Sequence, residues 1–173
     1  VIASLTSEDL ELTPAEGPWP LAPPELLIAR GSSAAVEEAA SAGLVVSQSR
    51  GSAAVVEALD PRPNERVLDL CAGPGIKSGQ VAARIGHLGN MVSVEPDEER
   101  AADIAEQLQR LGIHNGLVIE ADARKAVLKG EFDRVLVDAP CSDLGALASR
   151  PDARWRKSPA VIDRVIELQA PIL

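Results

Sequence analysis

A short apolar run, Val67-Leu68-Asp69-Leu70, leads directly into Cys71-Ala72-Gly73-Pro74-Gly75-Ile76-Lys77-Ser78-Gly79. A strand that gives way to a glycine-rich turn and then a helix opens a parallel βαβ unit, and its turn lies where ligands meet the carboxyl ends of the strands. Glycine lets the backbone approach a ligand because no Cβ intervenes. The spacing Gly73-x-Gly75-x-x-x-Gly79 is one residue longer than the dinucleotide fingerprint Gly-x-Gly-x-x-Gly. That departure favours a methyl donor over a nicotinamide cofactor. A tight turn with no ligand is the plain alternative, and the acidic strand ends described below argue against it.

The rest of the chain fits such a unit. β-branched runs at residues 66–70, 91–95, 117–120 and 133–138 alternate with helical patterns, which implies an α/β fold with a parallel sheet and helices on both faces. A helix is expected from Asp97, its apolar stripe formed by Ala101, Ile104, Ala105, Leu108 and Leu111 and its end marked by Gly112. A last helix is expected from Pro159, with Val161, Val165 and Leu168 on one face. Three regions follow. Residues 1–24 are acidic and proline-rich and read as a linker or edge segment, because proline suits neither a helix interior nor a central strand. Residues 25–64 read as a small N-terminal subdomain with a short strand at 43–47 and a helix at 52–59, and residues 65–173 as the ligand-binding core.

Composition narrows the classes. The 173 residues suffice for one core, and no apolar run is long enough to span a membrane. Cys71 and Cys141 stand in different motifs, forming neither a disulfide framework nor a metal cluster, so a reducing cytoplasm and no metal are expected. His87 and His114 follow helical segments near glycines and read as surface residues. The net charge of -9 argues against a protein that coats nucleic acid through its overall field, an objection that its distribution softens. Nine acidic and three basic side chains in residues 1–64 supply -6 of it, which leaves -3 for the rest.

Three more acids end strands: Glu95, Asp122 and Asp138. Glu95 lies 20 residues after Gly75, where a carboxylate can accept from both ribose hydroxyls of a nucleoside. Asp122 is placed to reach an adenine amino group, and helix or loop capping is the alternative for both acids. Asp138-Ala139-Pro140-Cys141 holds an acid and a thiol at the sheet edge, with proline fixing the turn. The loop Arg150-Pro-Asp-Ala-Arg154-Trp155-Arg156-Lys157 carries four cations and an aromatic, which suits phosphate contacts and base stacking. A solvated loop with Trp155 tucked inward is the alternative.

These segments together resemble the Sun-type, or Fmu-like, RNA 5-methylcytosine methyltransferases, and most nearly the bacterial enzymes of small-subunit ribosomal RNA. The resemblance rests on Val67 to Lys77, the Glu95 strand end, Leu111-Gly112, Asp122-Ala-Arg124, Phe132-Asp133-Arg134-Val135 and residues 138–157, and covers residues 40–173. It implies a class I, Rossmann-like methyltransferase fold and S-adenosylmethionine as cofactor, held by Cys71, Ala72, Gly73, Pro74, Gly75, Ile76 and Lys77 with Glu95, Asp122 and Asp138. It implies RNA, ribosomal RNA above all, as partner, with Arg150, Arg154, Trp155, Arg156 and Lys157 on it. Asp138 would orient the cytosine, and Cys141 would be the accessory thiol that helps release product. The family's nucleophile lies in a later Thr-Cys motif, which these 173 residues do not contain, so the chain is expected to be truncated at both ends and not to methylate RNA alone. Ala72-Gly-Pro-Gly-Ile-Lys77 replaces the usual Ala-Ala-Pro-Gly-Gly-Lys, Asp143 stands at a glycine-like position, and Gln48-Ser-Arg50 replaces a usual Gln-Asp. An amino-nitrogen methyltransferase, or a noncatalytic RNA-binding module on the same fold, are the rival readings.

Overall fold

The structure, a computed structural model, describes residues 10–143, 145, 155 and 158–173. Strands β1 (Leu10–Pro14) and β2 (Leu27–Gly31) pair antiparallel, Leu10 opposite Gly31. The acidic N-terminal stretch thus contributes one strand of a two-stranded ribbon, and Pro14 ends it. Helices α1 (Ser33–Ser41) and α2 (Arg50–Leu59) follow, each opened by a serine, Ser32 or Ser49, whose hydroxyl accepts from the amide three residues on. The strand expected at 43–47 does not form. That segment finds no ladder partner, and Gln48 ties it down instead, its Nε2 donating to Gln80 Oε1 at 2.8 Å and Ser52 Oγ at 3.2 Å.

The main sheet contains β3 (Arg66–Asp69), β4 (Asn90–Glu95), β5 (Gly116–Glu120) and β6 (Arg134–Leu136), all parallel in the order β5-β4-β3-β6. The chain steps outward from β3 to β5 and then returns to the other side of β3. This change of direction is where open α/β sheets leave a crevice beyond their carboxyl ends. Helices α3 (Ile76–Ile85) and α4 (Glu98–Arg110) are the crossovers, and α5 (Pro159–Gln169) closes the described chain.

Register fixes the two faces. Val67, Met91 and Gly116 are partners across three strands, as are Asp69, Ser93 and the β4–β5 pair Ser93–Val118, so all point to one side. There Val67 and Met91 pack with Val56 of α2 and with Val81, Ala82 and Ile85 of α3, while Ile104 and Leu108 of α4 pack near Val118. Full burial of each larger side chain is worth about 1.5–3 kcal/mol. Leu68, Val92, Val94 and Ile119 point to the other side and meet Ala126, Leu128 and Phe132 from the irregular stretch after β5. The described helices α2, α3 and α4 therefore cover one face, and Leu117, Val127 and Val135 stay exposed on the other.

Two further sequence expectations need correction. Ala105 is exposed and lies outside the α4 stripe, since it sits 100° around the helix from buried Ile104. The fourth strand covers 134–136 rather than 133–138. Asp133 instead precedes it, its carboxylate accepting from Arg66 N at 2.7 Å, and Asp138 follows it in an irregular turn. Val161, Val165 and Leu168 do share the more protected face of α5, and His87 and His114 are exposed.

Candidate active site

A cavity of about 480 Å³ opens at the carboxyl ends of β3, β4 and β6. Its floor is the β3–α3 turn. Leu70 N donates to Leu136 O and Ala72 N to Val94 O, both at 3.0 Å, so the turn is stitched to strands on either side. Gly73 is left-handed at φ +55°, and a Cβ added to it would meet open space, the mark of a backbone that leaves room for a ligand. Gly75, at φ +75°, does something else. A Cβ there would come within 2.9 Å of Ile104 Cγ1 and Cγ2, so this glycine allows α4 to pack against the start of α3 and does not line the cavity. Cys71, Ala72, Gly73, Pro74, Ile76 and Lys77 do line it.

Beneath the turn, Asp69 is nearly inaccessible and accepts from Ser78 Oγ at 2.8 Å and Cys71 N at 3.2 Å. Burial pushes its carboxyl up to about 6, against the opposing pull of those two hydrogen bonds. Burial, with the negative field of Asp69, also pushes the Cys71 thiol up to about 11. At neutral pH its thiolate fraction is then on the order of 10⁻⁴, which makes Cys71 a lining residue and not a nucleophile.

The three strand-end acids all face the cavity, each beside its own cation. Glu95, only 3% exposed, accepts from Gly73 N and Asp97 N and pairs with Arg100. Asp122 is clasped by Arg124, whose Nε lies 2.8 and 3.0 Å from its two oxygens, and these hydrogen bonds pull the Asp122 carboxyl down to about 2. Asp138 pairs with Lys77 Nζ at 2.6 Å. All six line the cavity, with Leu168 and Ile172 from and beyond α5 on its outer wall.

Cys141 is exposed, its thiol donating to Asp143 Oδ1 at 3.6 Å and accepting from Asp143 N at 3.3 Å. Asp143 is left-handed, φ +54°, which explains why a glycine suits this position and shows that aspartate keeps the turn. Trp155 is 78% exposed rather than tucked inward. Arg150, Arg154, Arg156 and Lys157 lie outside the described residues. Sequence reasoning missed Arg100 and Ser52, both cavity residues. Arg100 had a signal: it stands three residues after Asp97, the cap of α4, on the turn that faces Glu95.

Residues 56–173 match the family described as 16S rRNA methyltransferase RsmB/F. The chain belongs to the RsmB/F family. The protein of Bacillus subtilis (strain 168) named "Probable ribosomal RNA small subunit methyltransferase B" is 39% identical over 134 residues, covering 76% of this chain and 30% of that protein. A mouse 28S rRNA (cytosine-C(5))-methyltransferase is 34% identical over 133 residues, covering 76% of this chain and 17% of its own. The crystal structure of NSun6 from Pyrococcus horikoshii with SFG superposes with a TM-score of 0.71 at 26% identity, covering 78% of this chain and 35% of that one. The chain thus spans about 30% of the length of its bacterial relative. Its sheet is that of a class I methyltransferase within the RsmB/F family.

Among the described residues, no group of three or more His, Cys, Asp or Glu is arranged to hold a metal ion, and no helix is long and apolar enough to cross a membrane.

Proposed function

We propose that this chain supplies the cofactor-binding and base-holding part of an S-adenosylmethionine-dependent methyltransferase acting on carbon 5 of cytosine in ribosomal RNA, in the cytoplasm. The observation that carries the reading is the cavity at the sheet's switch point, with the open left-handed Gly73 and the buried acceptor Glu95 on its wall. The names of the bacterial and mouse relatives, and the SFG of the NSun6 structure, an S-adenosylmethionine analogue, support substrate and cofactor.

The donor set fits the cofactor. Glu95 would accept from ribose hydroxyls, Gly73 and Pro74 leave space beside the turn, and Asp122 would meet the adenine edge once Arg124 yields an oxygen. S-adenosylmethionine, when bound, supplies a methyl group on an electrophilic sulfonium.

Carbon 5 of cytosine is a poor nucleophile and becomes reactive only after a thiolate adds at carbon 6. By family resemblance that thiol belongs to a Thr-Cys motif, which these 173 residues do not contain. Asp138, paired with Lys77 through one oxygen, would hydrogen-bond the ring's N3 and amino group and so favour the adduct. Cys141, exposed at the same edge, would assist release of the methylated base. Reaching this edge requires the base to leave its stack, and Arg150, Arg154, Trp155, Arg156 and Lys157 would hold the RNA while it does.

The test is a chimera in which this chain replaces the matching segment of the Bacillus subtilis relative. Incubated with methyl-labelled S-adenosylmethionine and small-subunit ribosomal RNA, it should place label in 5-methylcytidine, and Asp138→Ala should abolish this. Label in N4-methylcytidine would assign the amino-nitrogen chemistry instead. RNA binding without transfer would select the noncatalytic reading.

A further inference from the structure

Glu95 carries more donors than a ribose site can share. Its Oε2 accepts from Gly73 N at 3.0 Å, and its Oε1 accepts from Asp97 N at 3.1 Å and is ion-paired with Arg100 Nη2 at 2.9 Å. A carboxylate oxygen offers two lone-pair positions. On Oε1 Asp97 N takes one position and the Arg100 guanidinium occupies the approach to the other, whereas Oε2 has one position left. A nucleoside that presents its 2′ and 3′ hydroxyls to Glu95 needs a position on each oxygen.

Two of the three partners are backbone amides fixed by structure, Gly73 in the stitched turn and Asp97 at the start of α4. Arg100 alone reaches Glu95 through a side chain, which is 53% exposed and turns about its own torsions without moving the backbone. It also has somewhere to go. The Asp97 carboxylate lies 3.8 Å from Arg100 Nε and already caps the helix at Arg100 N, so a small rotation hands the guanidinium from one acid to its neighbour.

We propose that Arg100 is a displaceable plug of the nucleoside site. Its guanidinium takes the position on Glu95 that a ribose hydroxyl claims, and it swings toward Asp97 when a cis-diol nucleoside enters. This rests on the reading that the cofactor's ribose binds Glu95. Three consequences follow from the geometry. The plug lowers the apparent affinity in proportion to the closed fraction. It neutralises a buried carboxylate while the site is empty. It also discriminates by hydroxyl count, since a ligand with a single hydroxyl is served by the vacant position on Oε2 and leaves Arg100 in place.

The experiment is calorimetric titration of the 173-residue chain and of Arg100→Met with S-adenosylhomocysteine and its 2′-deoxy analogue. Methionine is a good helix former, so α4 is retained. Arg100→Met should bind S-adenosylhomocysteine about three- to tenfold more tightly than the unmodified chain and should leave the deoxy analogue's affinity unchanged. Weaker or equal binding of S-adenosylhomocysteine by Arg100→Met would overturn the plug, because Arg100 would then be a ligand contact or a bystander. An equal gain for both ligands overturns the plug as well, because the gain would then not depend on the second hydroxyl. Absence of binding by both proteins would instead refute the cofactor reading on which the plug depends.

Discussion

Gly73 and Gly75 stand two residues apart, both left-handed, and an alanine at each should fail in a different way. At Gly75 the added methyl lands 2.9 Å from two carbons of Ile104, a side chain with no exposed surface and no room to retreat. The left-handed backbone costs an alanine about 1–2 kcal/mol, and overpacking a filled core adds about 1–3 kcal/mol. Gly75→Ala should therefore lose about 2–5 kcal/mol, a fall in Tm of roughly 4–20 °C for a chain of this size. At Gly73 nothing lies within 4 Å of the added methyl, so Gly73→Ala carries only the backbone cost, about 1–2 kcal/mol. Its methyl enters the cavity and should weaken S-adenosylhomocysteine binding at least tenfold, about 1.4 kcal/mol or more. Urea denaturation measures the first quantity and calorimetry at a temperature where both variants are folded measures the second. Equal destabilisation by the two alanines would refute the assignment of Gly75 to packing against α4.

Asp69 makes stability depend on pH. Burial raises its carboxyl from the ordinary 3.8 to about 6, so its contribution is fully present below 3.8 and is lost as pH rises through about 6, a span worth about 3 kcal/mol. Across pH 4 to 7, urea midpoints of the unmodified chain should fall relative to those of Asp69→Asn, and parallel curves would count against a buried, proton-binding Asp69. Neutralising Arg154 and Arg156 together should weaken RNA binding and flatten its salt dependence, because fewer counterions are released, while Tm stays nearly constant. A large drop in Tm with unaltered RNA binding would make that loop structural.

Much of this was legible in the sequence because the strongest signals are local. Val67 to Gly79 places a strand, a turn and a helix in order, and Glu95, Asp122 and Asp138 reach the cavity rim because each follows a short β-branched run. What stayed hidden depends on partners distant in the chain. The run 43–47 has strand propensity, yet a strand needs a ladder, and Gln48 binds α3 through side chains instead. The run 27–31 is less distinctive, yet it pairs with β1 through five register positions. Gly73 and Gly75 look alike in sequence, and only the position of Ile104 separates the ligand-facing glycine from the packing one. Arg100 stands on the capped first turn of α4, which marks it only as a charge near a helix start, and its pairing with Glu95 depends on β4 carrying that acid beneath it.

The central claim is that the cavity at the ends of β3, β4 and β6 takes the methyl donor. Amide chemical shifts of the isotopically labelled chain, followed while S-adenosylhomocysteine is added, test it most directly. The account predicts saturable shifts centred on the cavity, at the amides of Cys71, Ala72, Gly73, Lys77, Asp97, Arg100 and Arg124 among others, with those around Phe132 on the opposite face unmoved. Shifts centred on Phe132 and Leu117, or none at saturating ligand, would contradict it.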